Sequence, residues 1–316
     1  MIAKKSKKRA PRNRTISLTV REKAKYRKNL VFPASGPKVK TYINKTICGD
    51  AFETLKKLPS GKFDLLFADP PYNLTKNFGR NSFKRTSIKE YEKWLDSWLA
   101  GCVPLLKPDA SVYLCGDWRS ASAIQTIGLK YFTLRNRITW EREKGRGAKS
   151  NWKNSLEDIW FFTVSEEYYF DADAVKVKRK VVAPYKENGK PKDWNESKKG
   201  NFRLTAPSNL WTDLSVPFWS MPENTDHPTQ KPEKLLAKII LASTQEKDLI
   251  LDPFSGSGTT AVTAKKLGRK FTCIEADEDY CLLSEKRLEM AAKDKTIQGF
   301  TDGVFWERNS QYKSKR

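Results

Sequence analysis

The sequence predicts a doubly wound α/β fold on a mostly parallel sheet. Three observations support this. Short apolar runs alternate with stretches of helical spacing from about residue 41 to residue 290. Several of the runs are apolar throughout rather than at every second residue, as strands buried on both faces require. Two of them lead straight into glycine- or proline-rich turns, where open α/β sheets bind ligands.

The elements follow in order. Ile43–Cys48 reads as a short strand, Ala51–Leu58 as a helix and Phe63–Ala68 as a buried parallel strand. Lys89–Cys102 has helical spacing, with Trp94, Leu95, Trp98 and Leu99 on one face. Ser111–Cys115 is a buried strand and Trp118–Gly128 a helix, and Phe132–Trp140 and Glu157–Val164 are later strands. Pro232–Ser243 reads as a helix with proline in its first turn. Leu249–Leu251, Thr259–Leu267, Phe271–Glu275 and Asp279–Met290 then alternate strand, helix, strand, helix. Residues 165–225 break the pattern, being rich in Lys, Asn, Pro and Trp without a clean period, and read as an insertion with its own task.

Composition narrows the classes. The 316 residues are 38% hydrophobic, enough for a packed core and against wholesale disorder. No apolar run approaches the roughly 20 residues of a bilayer span, and no apolar segment follows the N-terminal charges as in a secretory signal. Five scattered cysteines and a single histidine offer no metal site and suit a cytoplasmic protein with reduced thiols. The net charge of +23 favours a polyanionic partner, nucleic acid being the commonest, although solubility or an anionic membrane surface would also fit. Twelve Lys/Arg against one acid, Glu22, in residues 1–28 read as a flexible basic arm that could lie along phosphates.

Two motifs bear on chemistry. In Leu251-Asp252-Pro253-Phe254-Ser255-Gly256-Ser257-Gly258-Thr259-Thr260 an apolar strand enters a Gly-Ser-Gly turn that opens a helix. Glycines let such a turn fold tightly and approach a ligand. The next strand ends at Glu275, 17 residues beyond Gly258, where a carboxylate suits ribose hydroxyls. Asp252 would repel a pyrophosphate but attract an ammonium. A ligand with a ribose and an amino-acid end, such as S-adenosylmethionine, therefore fits better than a dinucleotide. An ordinary structural βα turn would also fit.

The second motif, Phe67-Ala68-Asp69-Pro70-Pro71-Tyr72, also follows a buried strand. Two prolines stiffen the backbone, and the Pro70 carbonyl can join the Asp69 carboxylate as a pair of acceptors. An exocyclic amino group has two hydrogens to offer, and Tyr72 can stack on the ring that bears it. Alone, the motif would equally suit a proline-stiffened turn with a helix-capping Asp.

Together these residues resemble the S-adenosylmethionine-dependent amino-methyltransferases of DNA, whose catalytic motif is Asp/Asn/Ser-Pro-Pro-Tyr/Phe/Trp. The catalytic motif comes first here and the cofactor turn last, as in that family's beta group. His227-Pro228-Thr229-Gln230-Lys231-Pro232 matches a further motif of the group, and the resemblance spans roughly Thr41 to Met290. It implies a methyltransferase (Rossmann-like) sheet with an inserted target-recognition region. The expected divisions are a basic arm (1–40), a catalytic half (41–164), the target-recognition insertion (165–225), a cofactor-binding half (226–292) and a polar tail (293–316). Phe305 and Trp306 in the tail are candidates to dock on the body.

The same resemblance implies roles. Asp69, Pro70, Pro71 and Tyr72 hold the target base. Asp252 holds the cofactor's amino group, with Phe254, Gly256, Ser257, Gly258 and Thr259 shaping the pocket. Glu275 binds the ribose, Thr229 and Lys231 lie near the cofactor's carboxylate, and Asp50 lies near its adenine. His227 is expected to shape the turn rather than do chemistry. Lys76, Arg80, Lys84 and Arg85 sit on a loop that could close over a flipped base. Arg142, Lys144, Arg146 and Lys149 form another basic loop, and solvated surface would explain either one equally. The expected activity is methylation of adenine N6 in duplex DNA, in a restriction–modification setting with a possible endonuclease counterpart and a possible homodimer. Cytosine N4 is the nearest rival, and a non-catalytic DNA-binding protein on the same fold the rival of another class. No Pro-Cys dipeptide occurs, against the carbon-5 cytosine enzymes.

Overall fold

A computed structural model of the chain describes residues 10–33, 36, 38–78, 81–142, 150–181, 185–195 and 200–307. Its centre is an eight-stranded sheet in the order Lys45–Cys48, Lys270–Glu275, Leu249–Asp252, Phe63–Ala68, Leu106–Gly116, Leu156–Thr163, Thr133–Glu141 and Leu210–Trp211. Leu156–Thr163 runs antiparallel to both its neighbours, and the other pairings are parallel.

Period-two side-chain direction sorts each strand onto two faces. Leu66, Ala68, Val112, Leu114, Trp160 and Phe162 face one core, with α2 (Ala51–Leu55), α3 (Ile88–Cys102) and α4 (Ala121–Tyr131). Leu65, Phe67, Tyr113, Cys115, Ile159 and Phe161 face the other, with α5 (Glu233–Ser243), α6 (Thr259–Lys266) and α7 (Glu278–Lys293). Runs that read as continuously apolar are thus strands with helices on both sides. The strand of Phe63–Ala68 coincides with the expected one and the other strand ends lie within five residues of theirs, Leu106–Gly116 starting furthest ahead, before Ser111. Pro232 caps α5 rather than entering it: its ψ of 144 is extended.

One terminal region differs from the sequence reading and the other goes further than it. From residue 10 onward the basic arm is anchored. Thr19 and Glu22 form a capping box that opens α1 (Val20–Arg27). Tyr26 and Leu30 pack on Cys48, Cys281 and Leu282, and Lys23, Lys25 and Arg27 pair with Asp279, Glu289 and Glu278 of α7. The charge count missed both the capping pair and the acidic face awaiting the arm. The tail docks through Phe305 and Trp306 as expected, and it does so as part of a sheet. Phe300–Thr301 and Val304–Trp306 complete a four-stranded sheet with Val177–Lys180 and Phe202–Thr205 of the insertion. Phe305 is buried against Val175, Val177, Ala237 and Ala242, so insertion and tail form one unit seated on α5. The five cysteines are buried and free, and no described helix is long and apolar enough to cross a membrane.

Candidate active site

Asp252, Glu275 and Asp69 lie at the carboxyl ends of three adjacent parallel strands, with Leu251 paired to Leu66 below them. Chain winding reverses direction between these strands, which opens a crevice there. A cavity of about 220 Å³ occupies it. Asp69 and Pro71 line it together with Asp252, Phe254, Gly256, Ser257, Thr259 and Glu275, and so do Asp50, Thr229 and Lys231. The two motifs therefore share one cleft.

The cofactor turn is tied down from several directions. Asp252 Oδ1 accepts the Phe254 N–H at 3.0 Å and Oδ2 the Thr260 hydroxyl at 2.5 Å. Glu275 Oε2 accepts the Gly256 N–H at 2.9 Å and Oε1 the Asp277 N–H at 2.8 Å. Gly256 has φ +52, and a Cβ there would meet His227 Nε2 at 2.8 Å. Gly258 has φ +81, and a Cβ would meet Ser284 Oγ at 2.0 Å. Gly258 thus serves close packing rather than the cavity wall. Phe254 stands edge-on to Trp98, with ring centroids 5.0 Å apart.

Burial raises the Asp252 carboxyl to about 7, despite the hydrogen bonds from Thr260 and Phe254 that lower it. Burial likewise raises Glu275. Two acids forced together and desolvated are a natural receptor for a cation and hydroxyls. The buried hydroxyls of Ser255 and Ser257, also on the cavity wall, have no hydrogen-bond partner among the described residues. Carboxylates at both ends, idle hydroxyls and an aromatic wall fit S-adenosylmethionine. Asp50 caps α2 through the Glu53 N–H and still faces the cavity. His227 is edge-on to Tyr280, and burial lowers it to about 4, so it is neutral at physiological pH and shapes the pocket.

The base side holds a charge network. Asp69 Oδ1 accepts the Tyr72 hydroxyl at 2.8 Å, and Oδ2 lies 2.6 Å from Lys231 Nζ. Pro70 is buried and Tyr72 half-buried, and neither appears among the cavity-lining residues. Tyr91 donates to the Pro71 carbonyl at 3.0 Å. Lys231 lines the cavity, but its ammonium sits on Asp69 and near Glu157 instead of being offered to a cofactor carboxylate. Burial works against its charge, but the two carboxylates outweigh that and hold its pKa above the usual lysine value. Glu157 is a site residue that sequence reading missed. Its signal was a pair of acids, Glu157 and Asp158, at the start of a strand that is apolar from Ile159 to Phe162, and Glu157 is buried to 4% exposure.

The basic loops divide. Lys76 is half-buried in a hairpin of Lys76–Phe78 and Asn81–Phe83, where an open loop was expected. Lys84 and Arg85 are exposed beside it. Arg142 is paired with Glu157. Arg80, Lys144, Arg146 and Lys149 lie outside the described residues.

A mostly parallel sheet that brings an acidic Gly-Ser-Gly turn and Asp69 of the Asp-Pro-Pro-Tyr segment to one crevice is the frame of a group-transfer enzyme. The chain belongs to the N6_N4 DNA methylase family, whose model matches residues 63–286. It is 36% identical over 264 residues to DNA adenine methyltransferase YhdJ of Escherichia coli, covering 81% of this chain and 85% of that one. It is 32% identical to the Type II methyltransferase M.BglII of Bacillus subtilis, over 78% of this chain and 69% of that one. The cytosine-N4-specific PvuII DNA methyltransferase shares the fold, with TM-score 0.56 and 20% identity over 79% of this chain and 90% of that one.

Proposed function

We propose that the protein methylates N6 of adenine in duplex DNA at a specific site, with S-adenosylmethionine as donor and the target base swung out of the helix. The supporting observation is the single cleft that Asp69 and Pro71 share with Asp252, Gly256 and Glu275. S-adenosylmethionine supplies an electrophilic methyl group on a sulfonium. Asp252 holds the donor's ammonium, Glu275 its ribose hydroxyls and Asp50 the adenine end, while Thr229, Ser257 and Thr259 complete the walls. Asp69 and the Pro70 carbonyl accept the two amino hydrogens of the base, and Tyr72 stacks on its ring. The grip favours a more tetrahedral nitrogen and stabilises the positive charge that develops on it. Holding donor and acceptor in line supplies the rest. Flipping costs a few kcal/mol, offset by those contacts.

Asp at the head of the catalytic motif supports adenine over cytosine N4, as does the name of the Escherichia coli relative. Residues 165–225 read the target sequence, and Lys84 and Arg85 lie against phosphates. An endonuclease counterpart and a homodimer belong to the same proposal, the first supported by the relative named as Type II. The test is to incubate purified protein with S-adenosylmethionine and unmethylated DNA, then sequence with modified-base detection. N6-methyladenine at one short motif is expected. N4-methylcytosine would establish the rival, and 5-methylcytosine or unmodified DNA would refute the proposal.

A further inference from the structure

Both oxygens of Asp69 are engaged, yet one of them must receive an amino hydrogen. Lys231 occupies Oδ2 at 2.6 Å, and Tyr72 donates to Oδ1. A paired ammonium also cancels the negative charge that a cationic transition state needs. Lys231 has a second anion in reach: Glu157 Oε2, 3.3 Å away. That oxygen is buried and takes no aligned hydrogen bond among the described residues. Glu157 Oε1 is held by Arg142. The Arg142 side chain is 28% exposed, just beyond the Thr133–Glu141 strand, and it lines a second cavity with Pro217, Phe218 and Trp219 of the insertion. Four charges therefore run in a row from the cleft toward the DNA-reading side: Asp69, Lys231, Glu157, Arg142.

We propose that Glu157 is a positioning residue that draws Lys231 off Asp69 when DNA engages Arg142, so that the catalytic carboxylate is unmasked only on a bound polynucleotide. This rests on the methyltransferase reading above. With Arg142 seated on Glu157, much of that carboxylate's charge is neutralised, and Lys231 lies closer to Asp69. A phosphate competes well for a guanidinium, which it can meet with two parallel hydrogen bonds. Once Arg142 turns to the phosphate, Glu157 is a buried anion with Lys231 as its remaining partner. A buried charge without a partner is strongly disfavoured, so the ammonium shifts to it by rotation of one side chain. Asp69 Oδ2 then accepts the amino hydrogen with its charge uncompensated. No bond forms or breaks and no proton moves in this step.

The test is a rescue experiment. Glu157→Gln leaves Lys231 on Asp69, so kcat falls roughly tenfold or more while affinity for S-adenosylmethionine stays near wild type. Adding Lys231→Met removes the mask, and the double variant regains most of the lost kcat. A merely structural Glu157 gives no such rescue. Wild-type kcat in Glu157→Gln, or a double variant no faster than the single one, overturns the proposal. Arg142→Gln is a half-exposed change that tests the same idea should Glu157→Gln not fold. In it Glu157 attracts Lys231 without help from a phosphate. The rate on a trinucleotide centred on the target base, relative to a long duplex, is then expected to rise roughly tenfold over wild type. An unchanged or lower ratio overturns the proposal. Wild-type turnover is measured first, because its absence would refute the functional reading itself.

Discussion

On the cofactor side of the cleft, Asp252 accepts the Phe254 N–H and Glu275 the Gly256 N–H, all within one strand–turn–helix–strand unit. On the base side, Asp69 is held by Lys231, 162 positions away, and Lys231 leans on Glu157 from the antiparallel strand. The first half is fixed by local backbone geometry. The second is fixed by charges that meet only after folding and can change partners. A rigid donor site beside an adjustable acceptor site suits an enzyme whose cofactor never varies but whose second substrate must be extracted from a duplex.

Substitutions at the two ends of the cleft separate these halves. Asp69→Ala is expected to lower methyl transfer by a thousandfold or more, since it removes a preorganised acceptor, with affinity for S-adenosylmethionine retained within a few-fold by calorimetry. Strong turnover in that variant, or loss of cofactor binding, would erase the distinction. Asp252→Asn is expected to do the reverse, weakening cofactor affinity by roughly tenfold to a hundredfold, the worth of a charged hydrogen bond.

The same carboxylate gives the donor site a pH signature. With Asp252 raised to about 7 by burial, lowering the pH through that value protonates the group that must meet an ammonium. Affinity should therefore be full above about pH 8 and fall by roughly tenfold per pH unit below 7, a fall that Asp252→Asn removes. A flat titration in the wild type would dissociate Asp252 from the ammonium.

A smaller effect tests the rigidity of the turn. Gly258→Ala places a methyl group 2.0 Å from Ser284 Oγ at φ +81, and should cost on the order of 2–3 kcal/mol in denaturant unfolding. Gly268→Ala, at φ +75 with nothing within 4 Å, should cost only about 1 kcal/mol. Equal costs would show that backbone conformation alone, and not packing of the turn on α7, holds the donor site.

The contrast between the halves also explains what could be read in the sequence. Strands such as Phe63–Ala68 and the Gly256–Gly258 turn are local patterns, and the structure places them as expected. The capping box of α1 was equally local, but a count of twelve basic residues hid it. The insertion's strand Val177–Lys180 pairs with Val304–Trp306, more than a hundred residues along the chain, so no local period announces either partner. Glu157 and Lys231 were invisible as a pair for the same reason. Each is unremarkable by itself, and their roles arise from being buried within 3.3 Å of one another.

The claim that one crevice receives both donor and base can be tested with a bisubstrate ligand: adenosine joined through N6 to the sulfur position of the cofactor's amino-acid arm. Calorimetry should show it binding at least a hundredfold more tightly than S-adenosylmethionine or adenosine alone, with affinity lost on Asp69→Ala and on Asp252→Asn alike. Affinity equal to that of the better half, and indifferent to one of the two substitutions, would contradict a shared cleft.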